Sequence, residues 1–304
     1  MYEIIIVGGG PAGMSAAVYA ARKQLHTLLI SSDIGGQVNL TNGVENYMGY
    51  QFIEGDELVS KFQQQVNQFP IDQKIGPKVT QIRRIDGGFE VVSESGDKYQ
   101  GKAVILASGK RPRRLNVEGE TELTGRGITY CSICDGPDYE GQKVAVIGGG
   151  NSAIEAALDM VKVAEHVDMV SVTPLTGDPI MIEKLSDAKN LTIYTEQQTA
   201  KIIGQDMVEG IVIKDLKTGN SKQLEVTGIF VQIGLLPNSD MVKDLVKLNQ
   251  VGEVPVNCSC ETEIPGLFAA GDVTTVPEKQ IVIAAGEGAK ASLQAHRYLR
   301  RLAN

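Results

Sequence analysis

One pattern occurs twice in this chain, and it restricts the possible folds more than any other feature. A short apolar run, Tyr2 to Val7, meets Gly8-Gly9-Gly10-Pro11-Ala12-Gly13; an Ala-rich stretch then runs to about Arg22 and leads to a second apolar run, His26 to Ile30. The same order returns at Lys143 to Ile147, Gly148-Gly149-Gly150-Asn151-Ser152-Ala153, a stretch carrying Ala156, Ala157 and Met160, and Val167 to Val172. Strand, glycine turn, helix, strand is the unit that binds dinucleotides. Gly8 and Gly148 make the tight turn, Gly10 and Gly150 let a pyrophosphate approach the backbone, and Gly13 and Ala153 let helix and strand pack closely. The helix N-terminus then offers its free N–H groups to the phosphates. A single glycine pattern is weak evidence. Two, each after a strand and before a small-residue helix, predict an α/β protein with two Rossmann-like three-layer domains.

A length of 304 residues suits two domains, each able to bury its own core. The net charge of −8 argues against nucleic acid or an anionic membrane as partner. No run approaches the roughly 18 apolar residues of a membrane span, and the first apolar stretch passes straight into glycines rather than into a cleavage site. A cytoplasmic location is therefore expected. Further strands are predicted at Gly88 to Val92, Lys102 to Ala107, Leu191 to Tyr194, Gly210 to Lys214 and Gly228 to Ile233. The chain closes with Leu267 to Asp272 and a long Ala-rich helix from about Ile281 to Leu302. Pro112 and Pro237 stand beside strand-to-loop changes and mark candidate domain crossings.

Four cysteines without an export signal point to a reducing compartment, where a close pair is catalytic or metal-binding rather than structural. Cys131 and Cys134 form a C-x-x-C, which suits half a zinc site or a redox dithiol. Zinc needs a second ligand pair, and Cys258 with Cys260 offers poor spacing in what reads as a strand, with no His nearby. On a strand those two would share a face and act as small hydrophobes. No metal site is expected. Taken alone, Asp135 reads as a turn cap, common for Asp before Gly.

The motifs together resemble the low-molecular-weight thioredoxin reductases, and more closely the reductase core of the alkyl hydroperoxide reductase flavoprotein. The resemblance covers nearly the whole chain and rests on Gly8 to Gly13, Gly35-Gly36-Gln37, Glu45-Asn46-Tyr47, Tyr130 to Pro137, Gly148 to Ala153 and Gly271-Asp272. Gly228 to Asn238 and Gly286 to Ser292 favour the peroxidase-reductase branch. That branch carries an added N-terminal dithiol module, whose work is expected here to fall to a separate protein.

The resemblance implies a discontinuous FAD domain, residues 1–113 and 246–304, with a nicotinamide domain at 114–245 inserted between. Gly8, Gly10 and Gly13 would serve the FAD pyrophosphate, and Gly148, Gly150 and Ala153 the nicotinamide dinucleotide. Gln37 and Asn46 would lie on the flavin side. Asp272, after Gly271, would hold a ribityl hydroxyl, although Gly271-Asp272 also reads as a plain turn after a buried strand. Gln280 would lie near the pyrimidine edge of the flavin, where the following helix N-terminus favours negative charge. Cys134 would face the flavin, Cys131 would attack a partner disulfide, and Asp135 would carry a proton. Rotation about hinges near Arg113 and Pro237 would alternate these encounters. The expected partner is thioredoxin or a similar dithiol protein, such as a glutaredoxin-like or peroxiredoxin partner, and a homodimer is expected.

The electron donor is read from the second glycine unit. A 2′-phosphate needs cations, and no Arg or Lys occurs between Val163 and Glu183. An NADH site often carries an acid at the strand tip, where this chain has Ser171. NADH is favoured, with NADPH and a ferredoxin as alternatives.

Overall fold

The computed structural model describes residues 1–41 and 43–303, and the chain divides into two compact units. The first comprises Met1–Asn39, Asn46–Arg111 and the chain from Leu236 on; the second comprises Leu40–Glu45 and Pro112–Leu235. Residues 236–245, inside the inserted segment 114–245 that the resemblance implies, pack in the first unit, which places the return beside Pro237.

In the first unit the strands Asp72–Ile75, Thr27–Ser31, Tyr2–Val7 and Lys98–Leu106 lie side by side in that order and run parallel. The strand Leu267–Ala269 joins the far edge of Lys98–Leu106, also parallel. An antiparallel pair, Val79–Ile85 with Gly88–Ser93, completes the sheet through the first half of Lys98–Leu106. Strands covered on both faces need apolar residues at every position, which explains the unbroken run Ile4-Ile5-Ile6-Val7. Ile4 and Ile6 pack with Ala16, Ala17 and Ala20 of the helix Pro11–Arg22. Ile5 and Val7 face the other way, toward Phe89, Met241 and Val242. Each fully buried Ile contributes about 1.5–3 kcal/mol.

The helix Ile281–Ala303 lies against Pro11–Arg22 at backbone distance. A Cβ at Gly288 would stand 1.9 Å from the carbonyl oxygen of Ala12, so only glycine permits this approach. Ala284, Ala291 and Ala295 continue the small-residue contact face.

The second unit is built on a five-stranded parallel sheet among the described residues, in the order Ile128–Thr129, Gly228–Val231, Lys143–Ile147, His166–Ser171, Leu191–Thr195. Val144 and Val146 face the helix Asn151–Met160 through Ala153, Ala156 and Ala157. Ala145 and Ile147 face an antiparallel meander, Gln197–Gly204, Val208–Asp215 and Ser221–Leu224, through Ile202, Ile211 and Ile213. Both units are thus three-layered α/β structures.

The two passages between the units, Lys110–Pro112 and Leu235–Pro237, pair with each other as a short ribbon. Arg113 N–H donates to the Gly234 carbonyl at 3.0 Å and Asn238 N–H to that of Gly109 at 3.0 Å.

Candidate active site

The two glycine turns share one geometry. Gly8 has φ +118° and a Cβ there would lie 2.2 Å from the Ala107 carbonyl; Gly148 has φ +141° and would meet Gln232 O at 2.2 Å. Gly13 allows no side chain, because its Cβ would fall 1.8 Å from Gly8 O. In the second turn the corresponding residue is Ala153, whose Cβ would stand 2.9 Å from one built on Gly148. Gly10 and Gly150 differ from these: no atom lies within 4 Å of a Cβ at either position. Protein packing does not demand glycine there. Each instead leaves an open cradle over the N-terminus of a following helix, Pro11–Arg22 and Asn151–Met160, where the first N–H groups lack intrahelical partners. That arrangement fits a pyrophosphate in each unit.

Each second strand ends in a buried serine set against the middle of its glycine turn. Ser31 Oγ accepts the Gly9 N–H at 2.8 Å. Ser171 Oγ lies 2.3 Å from where a Cβ on Gly149 would be. The residues that follow in the second unit, Val172 and Thr173, are exposed.

In the first unit the fold brings together residues more than two hundred positions apart. Gln37 Nε2 donates to Asp272 Oδ2 at 3.1 Å, and Asn46 Nδ2 to Gln280 Oε1 at 3.3 Å. The Gly35 N–H donates to Gly9 O at 2.9 Å, which lays the Gly35-Gly36-Gln37 loop over the first glycine turn. Gly271 takes φ +74°, and its N–H donates to the buried carboxylate of Glu287 at 2.8 Å. Burial raises the Asp272 carboxyl above the usual range, against the opposing pull of Lys279, Lys110 and the Gln37 amide.

Sequence reasoning passed over Glu287 and a half-buried charge cluster near Asp272. Lys110 Nζ bonds Glu253 Oε1 at 2.6 Å, and Lys279 Nζ reaches the same oxygen at 3.5 Å. Burial and the neighbouring Lys110 hold the Lys279 ammonium below its ordinary value. The available signal was Glu287 itself, a single acid amid Ala284, Gly286, Gly288 and Ala291 in an otherwise small-residue stretch.

In the second unit Cys131 and Cys134 form a disulfide with Cα atoms 5.3 Å apart. Cys131 caps the short helix Ser132–Asp135, and its Sγ accepts the Cys134 N–H at 3.2 Å. Asp135, the residue after Cys134, is buried. Its Oδ2 accepts the hydroxyl of Thr129 and its Oδ1 that of Thr41. Thr129 Oγ1 in turn accepts the Cys131 N–H at 3.1 Å. The Tyr139 phenol is pushed up to about 12 by burial, helped by Asp135 and Asp138.

Cys258 and Cys260 are not on a strand, contrary to the sequence reading. The Asn257 side chain accepts the N–H groups of Ser259 and Glu261 at 2.9 and 3.0 Å, which closes a turn. Within it Cys258 is exposed while Cys260, at φ +61°, is buried under Glu287 O. The shared face is lost because a turn does not alternate its side chains as a strand does.

Two glycine cradles in separate α/β units, one unit bearing a C-x-x-C disulfide followed by a buried carboxyl, place the chain in the class of two-dinucleotide disulfide oxidoreductases. Residues 2–288 match the pyridine nucleotide-disulphide oxidoreductase family, and the chain belongs to it. The alkyl hydroperoxide reductase F subunit of Staphylococcus aureus strain MSSA476 is 43% identical over 301 residues, covering 99% of this chain and 59% of that protein. Its counterpart in Staphylococcus epidermidis is 42% identical over the same shares. The chain therefore spans 59% of the length of these curated relatives. Among solved structures, thioredoxin reductase from Streptococcus pyogenes MGAS5005 superposes with a TM-score of 0.93 at 35% identity, covering 99% of both chains. That from Giardia duodenalis gives 0.90 at 30% identity, covering 98% of this chain and 99% of its own. No helix among the described residues is long and apolar enough to cross a membrane.

Proposed function

We propose that the chain is an FAD-dependent disulfide reductase that takes electrons from NADH and delivers them through Cys131 and Cys134 to a protein disulfide. The observation that carries this reading is the Cys131–Cys134 disulfide followed directly by the buried Asp135. When bound, the flavin accepts two electrons from a nicotinamide and releases them to a disulfide. In this reading Gly8, Gly10 and Gly13 hold the FAD pyrophosphate, while Gly148, Gly150 and Ala153 hold that of the nicotinamide. Asp272 would hold a ribityl hydroxyl, Gln37 and Asn46 would contact the flavin side, and Gln280 would lie near its pyrimidine edge. Cys134 faces the flavin, Cys131 attacks the partner disulfide, and Asp135 moves the proton between thiol and thiolate.

NADH is preferred over NADPH because the exposed Val172 and Thr173 offer no cation to a 2′-phosphate, and no Arg or Lys occurs from Val163 to Glu183. The partner is a thioredoxin-like dithiol protein, in keeping with the thioredoxin reductases among the solved structures, and the working enzyme is a cytoplasmic homodimer. The missing acid at Ser171 supports a second reading, in which reduced ferredoxin supplies the electrons. Anaerobic reduction of the bound flavin by NADH, NADPH and reduced ferredoxin in parallel separates these donors. Turnover with thioredoxin, glutaredoxin and peroxiredoxin disulfides then identifies the acceptor class.

A further inference from the structure

Opening the Cys131–Cys134 bond consumes two electrons and two protons: the S–S bond breaks and each sulfur ends as a thiol. In the function proposed above, on which this inference rests, the flavin, when bound and reduced, would supply the two electrons and one proton, and Asp135 supplies the second proton. When Cys131 later attacks the partner disulfide, its proton returns to Asp135, a Cys131–partner S–S bond forms, and the partner's first sulfur leaves with the electron pair and takes a proton from solvent. Cys134 then displaces the second partner sulfur, hands it its own proton and restores the Cys131–Cys134 bond. A carboxyl can serve both steps only if it is held toward the sulfurs throughout.

We propose that Thr129 is a positioning residue for this proton transfer, locking the Asp135 carboxyl to the backbone of Cys131. A hydroxyl has one proton to give and lone pairs to receive. Thr129 uses both at once, donating to Asp135 Oδ2 and accepting the Cys131 N–H at 3.1 Å. Because the N–H occupies a lone pair, the hydroxyl proton is directed at the carboxylate. Thr129 is itself fixed, being buried and paired with Phe230 on the neighbouring parallel strand. The Asp135 N–H donates to Cys131 O at 3.1 Å, so backbone and side chain of Asp135 are both referred to the same cysteine. Thr41 supplies the second hydroxyl, to Oδ1. Thr129 joins the sheet, the attacking cysteine and the proton carrier in one unit without touching the electrons.

The test compares Thr129→Val, which keeps the shape and removes the hydroxyl, with Thr129→Ser, which keeps the hydroxyl, in the full-length flavin-loaded protein. Flavin content and thermal midpoint are recorded for both. Thr129→Val is expected to be reduced by the nicotinamide at a rate within about twofold of the parent and to lose on the order of tenfold in disulfide turnover, a fraction of what general acid–base catalysis supplies. Thr129→Ser is expected to recover turnover to within about twofold of the parent. Three outcomes would overturn the proposal: undiminished turnover in Thr129→Val, equal loss in Thr129→Ser, or equal loss of both half-reactions in Thr129→Val. If the parent reduces neither protein disulfides nor a small aromatic disulfide, the functional reading itself fails and the proposal falls with it.

Discussion

The carbonyl oxygen of Gly8 occupies the space that a side chain on Gly13 would need, 1.8 Å from a Cβ built there. Gly10, three residues earlier, has nothing within 4 Å of the same construction. The two glycines are therefore required for different reasons, and substitution separates them. Gly13→Ala should lower the thermal midpoint by several degrees, since overpacking against backbone costs about 1–3 kcal/mol or more. Gly10→Val should keep the thermal midpoint of the flavin-free parent but purify nearly colourless. Full FAD occupancy in Gly10→Val, measured by released flavin, would remove the pyrophosphate from this cradle.

Donor choice is open to gain of function. Arg at positions 172 and 173 would place two planar forks on exposed positions beyond Ser171, each matched to phosphate geometry. The Val172→Arg, Thr173→Arg double variant should shift the ratio of NADH to NADPH reduction rates toward NADPH by about tenfold or more. Stopped-flow reduction with both nucleotides measures the ratio. A parent that already prefers NADPH would refute the assignment of NADH.

Cys131 and Cys134 should behave differently when separated. If Cys134 is the flavin-side sulfur, as proposed, Cys131→Ser should leave its thiolate free to donate charge to the oxidised flavin and produce a broad long-wavelength absorption band that fades on acidification. Cys134→Ser should show no such band. Both should lose disulfide turnover, and both should still accept electrons from the nicotinamide. Spectra across a pH series decide the matter; a band in Cys134→Ser alone reverses the two roles.

Alkaline stability depends on Cys260. Burial pushes its thiol from an ordinary 9.0 to about 11, so the folded protein keeps a proton that the unfolded chain gives up. The resulting stability is whole below pH 9 and is lost as pH rises through about 11. Cys260→Ala should therefore show a shallower fall in the urea midpoint over that interval than the parent. The Tyr139 phenol, raised from 10.0 to about 12, adds its own loss above pH 10 and should be unaffected by the substitution. Parallel slopes for parent and variant between pH 9 and 11 would contradict this account.

The frame was readable because parallel strands covered on both faces demand continuous apolar runs, and because a glycine turn has a fixed spacing. Lys143–Ile147 has the same bounds in sequence and structure, and the helix at Pro11–Arg22 ends where the Ala-rich stretch does. What could not be read depends on partners distant in the chain. Nothing near Lys110 announces Glu253 or Lys279, and nothing at Thr129 distinguishes a strand residue from a clamp on Asp135. Cys258 and Cys260 failed for a local reason: the Asn257 side chain competes for the backbone N–H groups that a strand would offer to a neighbour.

The paired passages Lys110–Pro112 and Leu235–Pro237 have a consequence for modularity. Because the inserted segment leaves and returns through adjacent hydrogen-bonded strands, its two ends are neighbours. A segment with neighbouring ends can be excised and the gap rejoined by a tight turn, without rethreading the host chain. A shortened chain with a hairpin at the ribbon would carry the first cradle alone, while the excised piece would carry the second cradle with its dithiol but without Leu40–Glu45, and so without the Thr41 hydroxyl on Asp135.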